Sequence, residues 1–414
     1  MSRLRRQQTF LPGVGGGGGG GTVNLAALPT TVSNPNYTTY NALNVPGLAV
    51  GGTYVDPQTG VTVLKLTSAA SAAGASFGFN YSTFNDQISR IWMSGGTEFV
   101  TVALLASNGS QYLLDVNLVT LAVSNLRTWP VGEGAFGFSK KVGWERVAYV
   151  ATGSQLRLYN TATNAFDDTF GSTGQFPQTC TILTWFMCNE DESWFTGLPA
   201  FSGTTVEAVR PSTSTRLVRT GQTGMDEMYS GLANVALINR GQRVPYLWNL
   251  DTDTITGPIA MPNANTIINH VPSLRGFWLG TDTDSGGGIT PFWRLSDAGV
   301  WTFAGNFPTF MWQYHWSSHG LQVGDTGTQQ YALASMWGAA TWTGSLPLAI
   351  AFARCDGGDY RAACHSYTIY TGPEDYRALP FAQETADRRA IGFNSNMNDQ
   401  ARYDAFLAFM PVAA

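Results

Sequence analysis

From about residue 61 onward the chain repeats one pattern: a strand-length apolar and β-branched run, a polar position, a turn of Thr, Asn, Asp or Ser, and a second such run. The unit stands out in YLLDVNLVTLAV, LRLYNTATNAFD, VEAVRPSTSTRLV, YLWNLDTDTITG and FWRLSDAGVWTF. Aligned on Asp115, Asn160, Arg210, Asn249 and Arg294, successive copies lie 39 to 50 residues apart, the spacing of four-stranded propeller blades. Between them come SRIWMS, ERVAYVA, ESWFTGL, NVALIN and LRGFWLG, each entered through a polar turn, and these are the expected inner strands. A sixth hairpin falls near SYTIYTGPEDYRALP, which makes VGDTGTQQYALASMWGAATWTGS an insertion in that blade. The last repeat, DRRAIGFNSNMNDQARYDAFLAFMP, holds two strands and too little chain for four. VTVLKLTS, residues 61 to 68, is placed to pair there, closing the ring and removing exposed edges. The pattern predicts an all-β fold, a seven-bladed β-propeller over residues 61–414, with six or eight blades left open by the stretched sixth repeat.

Residues 1–60 break the pattern. After MSRLRR comes PGVGGGGGGGTV, then a stretch rich in Thr, Asn, Pro and Gly with neither helix nor strand period. This reads as an extended Gly-rich N-terminal arm. Polyglycine becomes fixed only where a narrow groove excludes any Cβ. The arm is therefore expected to anchor the chain to a partner through Arg3, Arg5 and Arg6 and through glycines such as Gly15, Gly18 and Gly21, with a plain linker as the alternative.

Composition narrows the classes of function. Hydrophobic residues at 43% and aromatics at 13% supply a large core, while charged residues are only 12%, about half the usual share. Such a weakly charged surface suits packing in an assembly. A formal charge of −5, with lysine confined to Lys65, Lys140 and Lys141, leaves no basic stripe for phosphate, so nucleic acid is not an expected partner of the body. The start lacks the apolar core of a secretory signal, and no run approaches the roughly 18 apolar residues that span a bilayer.

Recognisable chemistry is sparse. The carboxylate clusters are Glu190-Asp191-Glu192, Asp226-Glu227 and Glu374-Asp375; neighbours on a strand face opposite ways, so an acid and base would come from different blades. There is no nucleophile elbow and no phosphate-binding Gly-Lys-Ser/Thr loop, so no catalytic residue and no cofactor is assigned. Cys180, Cys188, Cys355 and Cys364 lack zinc spacing. In CDGGDYRAAC the centre reads as a hairpin turn, which leaves Cys355 and Cys364 open between a disulfide and buried thiols. The run FPTFMWQYHWSSH places Phe310, Trp312, Tyr314 and Trp316 at alternate positions, one face of a strand, where exposed rings stack on sugars and buried ones fill the space between blades.

The segments FNDQISRIWMSGGTEFVTVALLASNGSQYLLDVNLVTLAV and ADRRAIGFNSNMNDQARYDAFLAFMP resemble blades of Tol-type and oligogalacturonate-lyase-like propellers. The resemblance covers most of residues 61–411 and implies the fold. It also implies a metal held by histidines and a glutamine in the lyases, and here YHWSSH offers His315 and His319 as candidate ligands, without the His-x-His pair. The expected function is a non-enzymatic structural or attachment component of a virus particle, a bacteriophage tail or capsid accessory protein, made in a host cytoplasm and carried in the virion. Its expected partners are other virion proteins bound through the arm and, at the propeller face, a host-surface glycan. The alternative is a carbohydrate-binding or lyase-like propeller.

Overall fold

The computed structural model describes residues 23–71, 74–79, 87–131, 136–171, 174–189, 191–200, 203–222, 227–232, 234–241, 243–268, 273–274, 277–282, 289–308, 314–317, 331–336, 344–369, 378–398 and 401–413. Seven small antiparallel sheets form a ring, and the chain is a seven-bladed β-propeller. Blade 1 comprises Phe77–Gly78, Thr97–Ala106, Gln111–Asn117 and Val123–Trp129, ordered from the innermost strand outward. Blade 2 is Phe136–Phe138, Val147–Ala151, Gln155–Asn160 and Ala165–Phe166; blade 3 is Thr184–Cys188, Phe195–Leu198, Val206–Arg210 and Thr215–Arg219. Blades 4 to 6 repeat this order, ending in the blade 6 hairpin of Ala349–Arg354 with Tyr360–His365.

Blade 7 closes the ring as the pattern predicts. Its strands Gln383–Glu384, Ala390–Ser395 and Asp404–Phe409 come from the chain's end, and Thr62–Lys65 completes it, with Thr62 opposite Phe409 and Lys65 opposite Phe406. A fifth strand, Thr53–Val55, covers the outer edge. Pairing the two ends of the chain in one sheet leaves no blade with an unpaired side facing the next, which is why a single clasp stabilises the whole ring.

The five hairpins read from the sequence are the third and outer strands of blades 1 to 5. Four of the five runs expected as inner strands occupy the second position instead, ERVAYVA containing Val147–Ala151 for example, while SRIWMS contains Trp92–Ser94, which pairs with Thr97–Ala106 on the same side as the innermost Phe77–Gly78. The reason is burial. A second strand is covered on both faces, as the five buried positions of Val147–Ala151 show, so it carries the strongest apolar run. Several innermost strands are short, down to two residues in Phe77–Gly78 and Gln383–Glu384, and those leave almost no periodic signal.

Blade 6 corrects two further expectations. The segment read as an insertion contains Tyr331–Met336, the blade's regular second strand. The sixth hairpin turns at CDGGDY rather than at SYTIYTGPEDYRALP, whose residues 370–377 lie outside the described residues. All four cysteines are free. Cys355 follows the end of one strand, whereas Cys364 sits opposite Ile350 on the other, so the two are offset along the hairpin and a disulfide does not form.

Residues 23–60 are packed rather than extended. Val23 bridges to Val412, and the helix Tyr37–Ala42 is capped by Asn36, whose side chain accepts from Thr39 N at 3.0 Å. Tyr40 stacks on Tyr367 with ring centroids 3.9 Å apart, and Leu28, Tyr40, Val45 and Tyr54 are all buried against blades 6 and 7. The aperiodic sequence hides this because each residue is placed by a different partner: Val32 N donates to Ser345 O, and Arg361 reaches Ala26 O and Leu28 O. Residues 1–22 lie outside the described residues.

Candidate functional site

On the face of the ring that carries the first-to-second and third-to-outer turns, a cavity of about 270 Å³ opens between blades 2 and 3. Lys141 and Trp144 enter it from the first turn of blade 2, and Asp191, Glu192 and Ser193 from the corresponding turn of blade 3. Phe170 and Phe176 come from the return at the outer edge of blade 2.

Local geometry builds this wall from short-range bonds. The Asn189 side chain accepts from both Ser193 N and Trp194 N at 2.9 Å, and Glu192 N donates to Asn189 O, closing a tight turn. That turn holds Glu192 at φ +55°, a left-handed conformation unusual outside glycine, asparagine and aspartate. The Glu192 side chain is thereby directed inward and buried, while its neighbour Asp191 stays exposed. The acidic run thus splits into two roles in a turn, not on the opposite faces of a strand.

Glu192 bridges the two blades. Its carboxylate accepts from Ser139 Oγ and Tyr149 OH, each at 2.7 Å, and from Lys140 N. Burial, and then the charge of Glu192, push the Tyr149 hydroxyl well above its ordinary pKa, so at neutral pH it is the donor in this bond. The Lys141 ammonium lies 3.8 Å from Glu192, beyond hydrogen-bond distance, and 5.3 Å from the centroid of Trp144. Trp144 meets Phe170 edge to face at 5.4 Å, and Gly171 lies so close that a Cβ there would fall 2.8 Å from the indole.

Three further buried carboxylates serve the blades. Asp115 takes Thr101 Oγ1, Asn125 and Arg127; Glu207 takes Thr181 and Arg216; Asp404 takes Thr67 Oγ1, Lys65 and Arg402. Glu207 and Asp404 join strands or turns of their own sheets, and Asp115 does so while also lying 4.0 Å from Arg146 of blade 2.

Of the residues singled out in the sequence, Tyr314, His315 and Trp316 fall on Tyr314–Ser317, the innermost strand of blade 6, whose backbone pairs Tyr314 with Met336 and His315 with Ser335. Phe310, Trp312 and His319, and the arm residues Arg3, Arg5, Arg6, Gly15, Gly18 and Gly21, lie outside the described residues. Among the described residues no group of three His, Cys, Asp or Glu side chains is arranged to hold a metal, and His365, on an outer strand, has Nε2 3.2 Å from Pro347 O. No helix among them is long and apolar enough to cross a membrane. Sequence reading noted Asp191 and Glu192 as a cluster but missed Lys141, Trp144, Phe170 and Phe176. Their spacing carries no motif, because four separate turns bring the cavity wall together.

No protein-family model and no curated protein matches the chain. Solved structures do. An oligogalacturonate lyase in complex with manganese superposes with a TM-score of 0.56 at 12% identity, over 87% of this chain and 96% of that one. An oligogalacturonate lyase from Vibrio parahaemolyticus gives 0.58 at 13% identity over the same shares. At such identities the likeness is one of fold: this chain is a seven-bladed propeller built like those of the oligogalacturonate lyases.

Proposed function

We propose that the chain is a non-enzymatic attachment and display module, a structural component of a virus particle such as a bacteriophage tail or capsid, in which the N-terminal arm anchors and the propeller presents a rigid face. The observation that supports this reading is the seating of the arm's base. Residues from Val23 onward are fixed to blades 6 and 7 by the Val23–Val412 bridge, the Tyr40–Tyr367 stack and the strand Thr53–Val55, so a pull on residues 1–22 is carried straight into the sheet that closes the ring. A low-charge surface and a glycine run that can enter a narrow groove fit the same role. The test is incorporation: a chain lacking residues 1–22 is expected to fold with an unchanged Tm yet be lost from purified particles, as read by mass spectrometry. Normal incorporation rejects the reading.

The solved structures favour a second reading, a lyase-like propeller acting on oligogalacturonate. Among the described residues no group of three His, Cys, Asp or Glu side chains is arranged to hold a metal, and His319 lies outside them. Release of unsaturated sugars from oligogalacturonate by the full-length protein with manganese added, measured by ultraviolet absorbance, would replace the first reading by this one.

A further inference from the structure

We infer that the cavity between blades 2 and 3 is a binding site for a neutral sugar ring. This site is separate from the innermost strands and from residues 23–60. Its volume, about 270 Å³, lies just under the usual range of roughly 300–1,000 Å³ for small-molecule sites and suits a single ring rather than an extended ligand. One wall is aromatic: Trp144, Phe170 and Phe176 are each half-buried, and Tyr149 stands behind them, 6.1 Å from Trp144 and 6.0 Å from Phe176. The rest is polar, with the Asp191 carboxylate, the Ser193 and Ser212 side chains and the Lys141 ammonium at the rim.

This lining discriminates among ligands. A wholly apolar molecule would strip water from Asp191 and Lys141 and give nothing back. An anion would meet two carboxylates, Asp191 and Glu192, against one ammonium. A cation would be repelled by the Lys141 ammonium at the rim. A pyranose satisfies both walls: its C–H face lies on an aromatic ring, and its hydroxyls donate to Asp191 and accept from Lys141.

The site is also held in place before any ligand arrives. Glu192, locked at φ +55°, ties the first turn of blade 2 to that of blade 3 through Ser139, Lys140 and Tyr149, fixing Lys141 and Trp144 relative to Asp191. Gly171 allows the outer return to close on the indole edge, where any side chain would collide. Glu192 is therefore a positioning residue. Asp191, Lys141 and Trp144 make the contacts.

The test is saturation-transfer NMR on the full-length protein with glucose, galactose, mannose and N-acetylglucosamine, and with galacturonate and choline as charged probes. We expect transfer from at least one neutral sugar, lost at least tenfold in Trp144→Ala and in Asp191→Ala, partly kept in Trp144→Phe, and weaker for both charged probes. Asp191 is exposed, and the one turn bond its carboxylate makes, accepting from Ser193 N at 3.1 Å, is shared with the Asn189 side chain, which keeps that donor satisfied in the variant. Absence of transfer from every neutral sugar, transfer unaffected by both alanine variants, or a preference for galacturonate or choline would overturn the assignment. Because particle incorporation is read separately with the arm deletion, failure here leaves the anchoring proposal standing, and the reverse.

Discussion

Gly357, in the turn of the blade 6 hairpin, has φ +76°, and a Cβ there would lie 2.5 Å from Ala304 O and 2.9 Å from Gly305 Cα of the neighbouring blade. Backbone meets backbone at this point, so nothing can move aside. Gly357→Ala is expected to destabilise the protein by about 1–3 kcal/mol, seen as a lower denaturant midpoint at constant slope. An unchanged midpoint would show that the blades slide freely at this contact. Asp56 makes a second prediction. Burial alone would raise its pKa, but hydrogen bonds from His365 and Thr59 and the charge of His365 outweigh it and hold the carboxylate below its ordinary 3.8. With the folded pKa below the unfolded one, the carboxylate contributes stability above about pH 4, and this is lost as pH falls through the folded value. Asp56→Asn should therefore cost about 1–3 kcal/mol at neutral pH and flatten the loss of Tm between neutral and acidic pH. A wild-type acid limb matched by the variant would refute the assignment. Neither role is visible in the sequence, where Asp56 is one polar residue in an aperiodic stretch and Gly357 one of 47 glycines.

At the scale of elements, the blades share a device: a carboxylate on the third strand faces a cation on the fourth. It appears as Asp115 with Arg127 in blade 1, Glu207 with Arg216 in blade 3, and Asp404 with Lys65 in blade 7. Blade 2 reverses the order, with Arg157 on the third strand and Asp168 just beyond the fourth. In blade 7 the pair spans the two ends of the chain and both side chains are buried; Lys65 also donates to Val45 O and Pro46 O, tying in the segment before it. Asp404→Ala leaves that ammonium buried without its carboxylate and is expected to cost about 3–5 kcal/mol. Adding Lys65→Met should recover part of the loss, because it removes the uncompensated charge. Equal stability for the single and double variants would show that the pair contributes nothing to closure. The third and fourth strands were legible as hairpins since their turns keep a Thr, Asn, Asp or Ser signature, whereas innermost strands as short as Phe77–Gly78, Thr266–Ile267 and Gln383–Glu384 show no period.

For the whole molecule, the segment 23–60 decides how a truncation behaves. Removing residues 1–22 should leave Tm within about a degree, while removing 1–60 also takes away buried Leu28, Tyr40, Val45 and Tyr54 and the covering strand of blade 7. At roughly 1.5–3 kcal/mol per large buried side chain, that longer deletion is expected to lower Tm sharply and expose blade 7 to protease. Equal stability of the two forms would show that the packed segment is an ornament rather than part of the domain. The sequence by itself determined the architecture: the repeat of paired runs at blade spacing, the half-blade at the end and the matching strand at residues 61–68 all follow from local alternation and turn chemistry, which each segment carries alone. Only the tertiary structure decided which strand of each blade is innermost, that residues 23–60 pack, and that Lys141, Trp144, Phe170, Asp191 and Glu192 share one cavity. Those outcomes depend on contacts between residues far apart in the chain, and no local period records a contact that forms only when two blades meet.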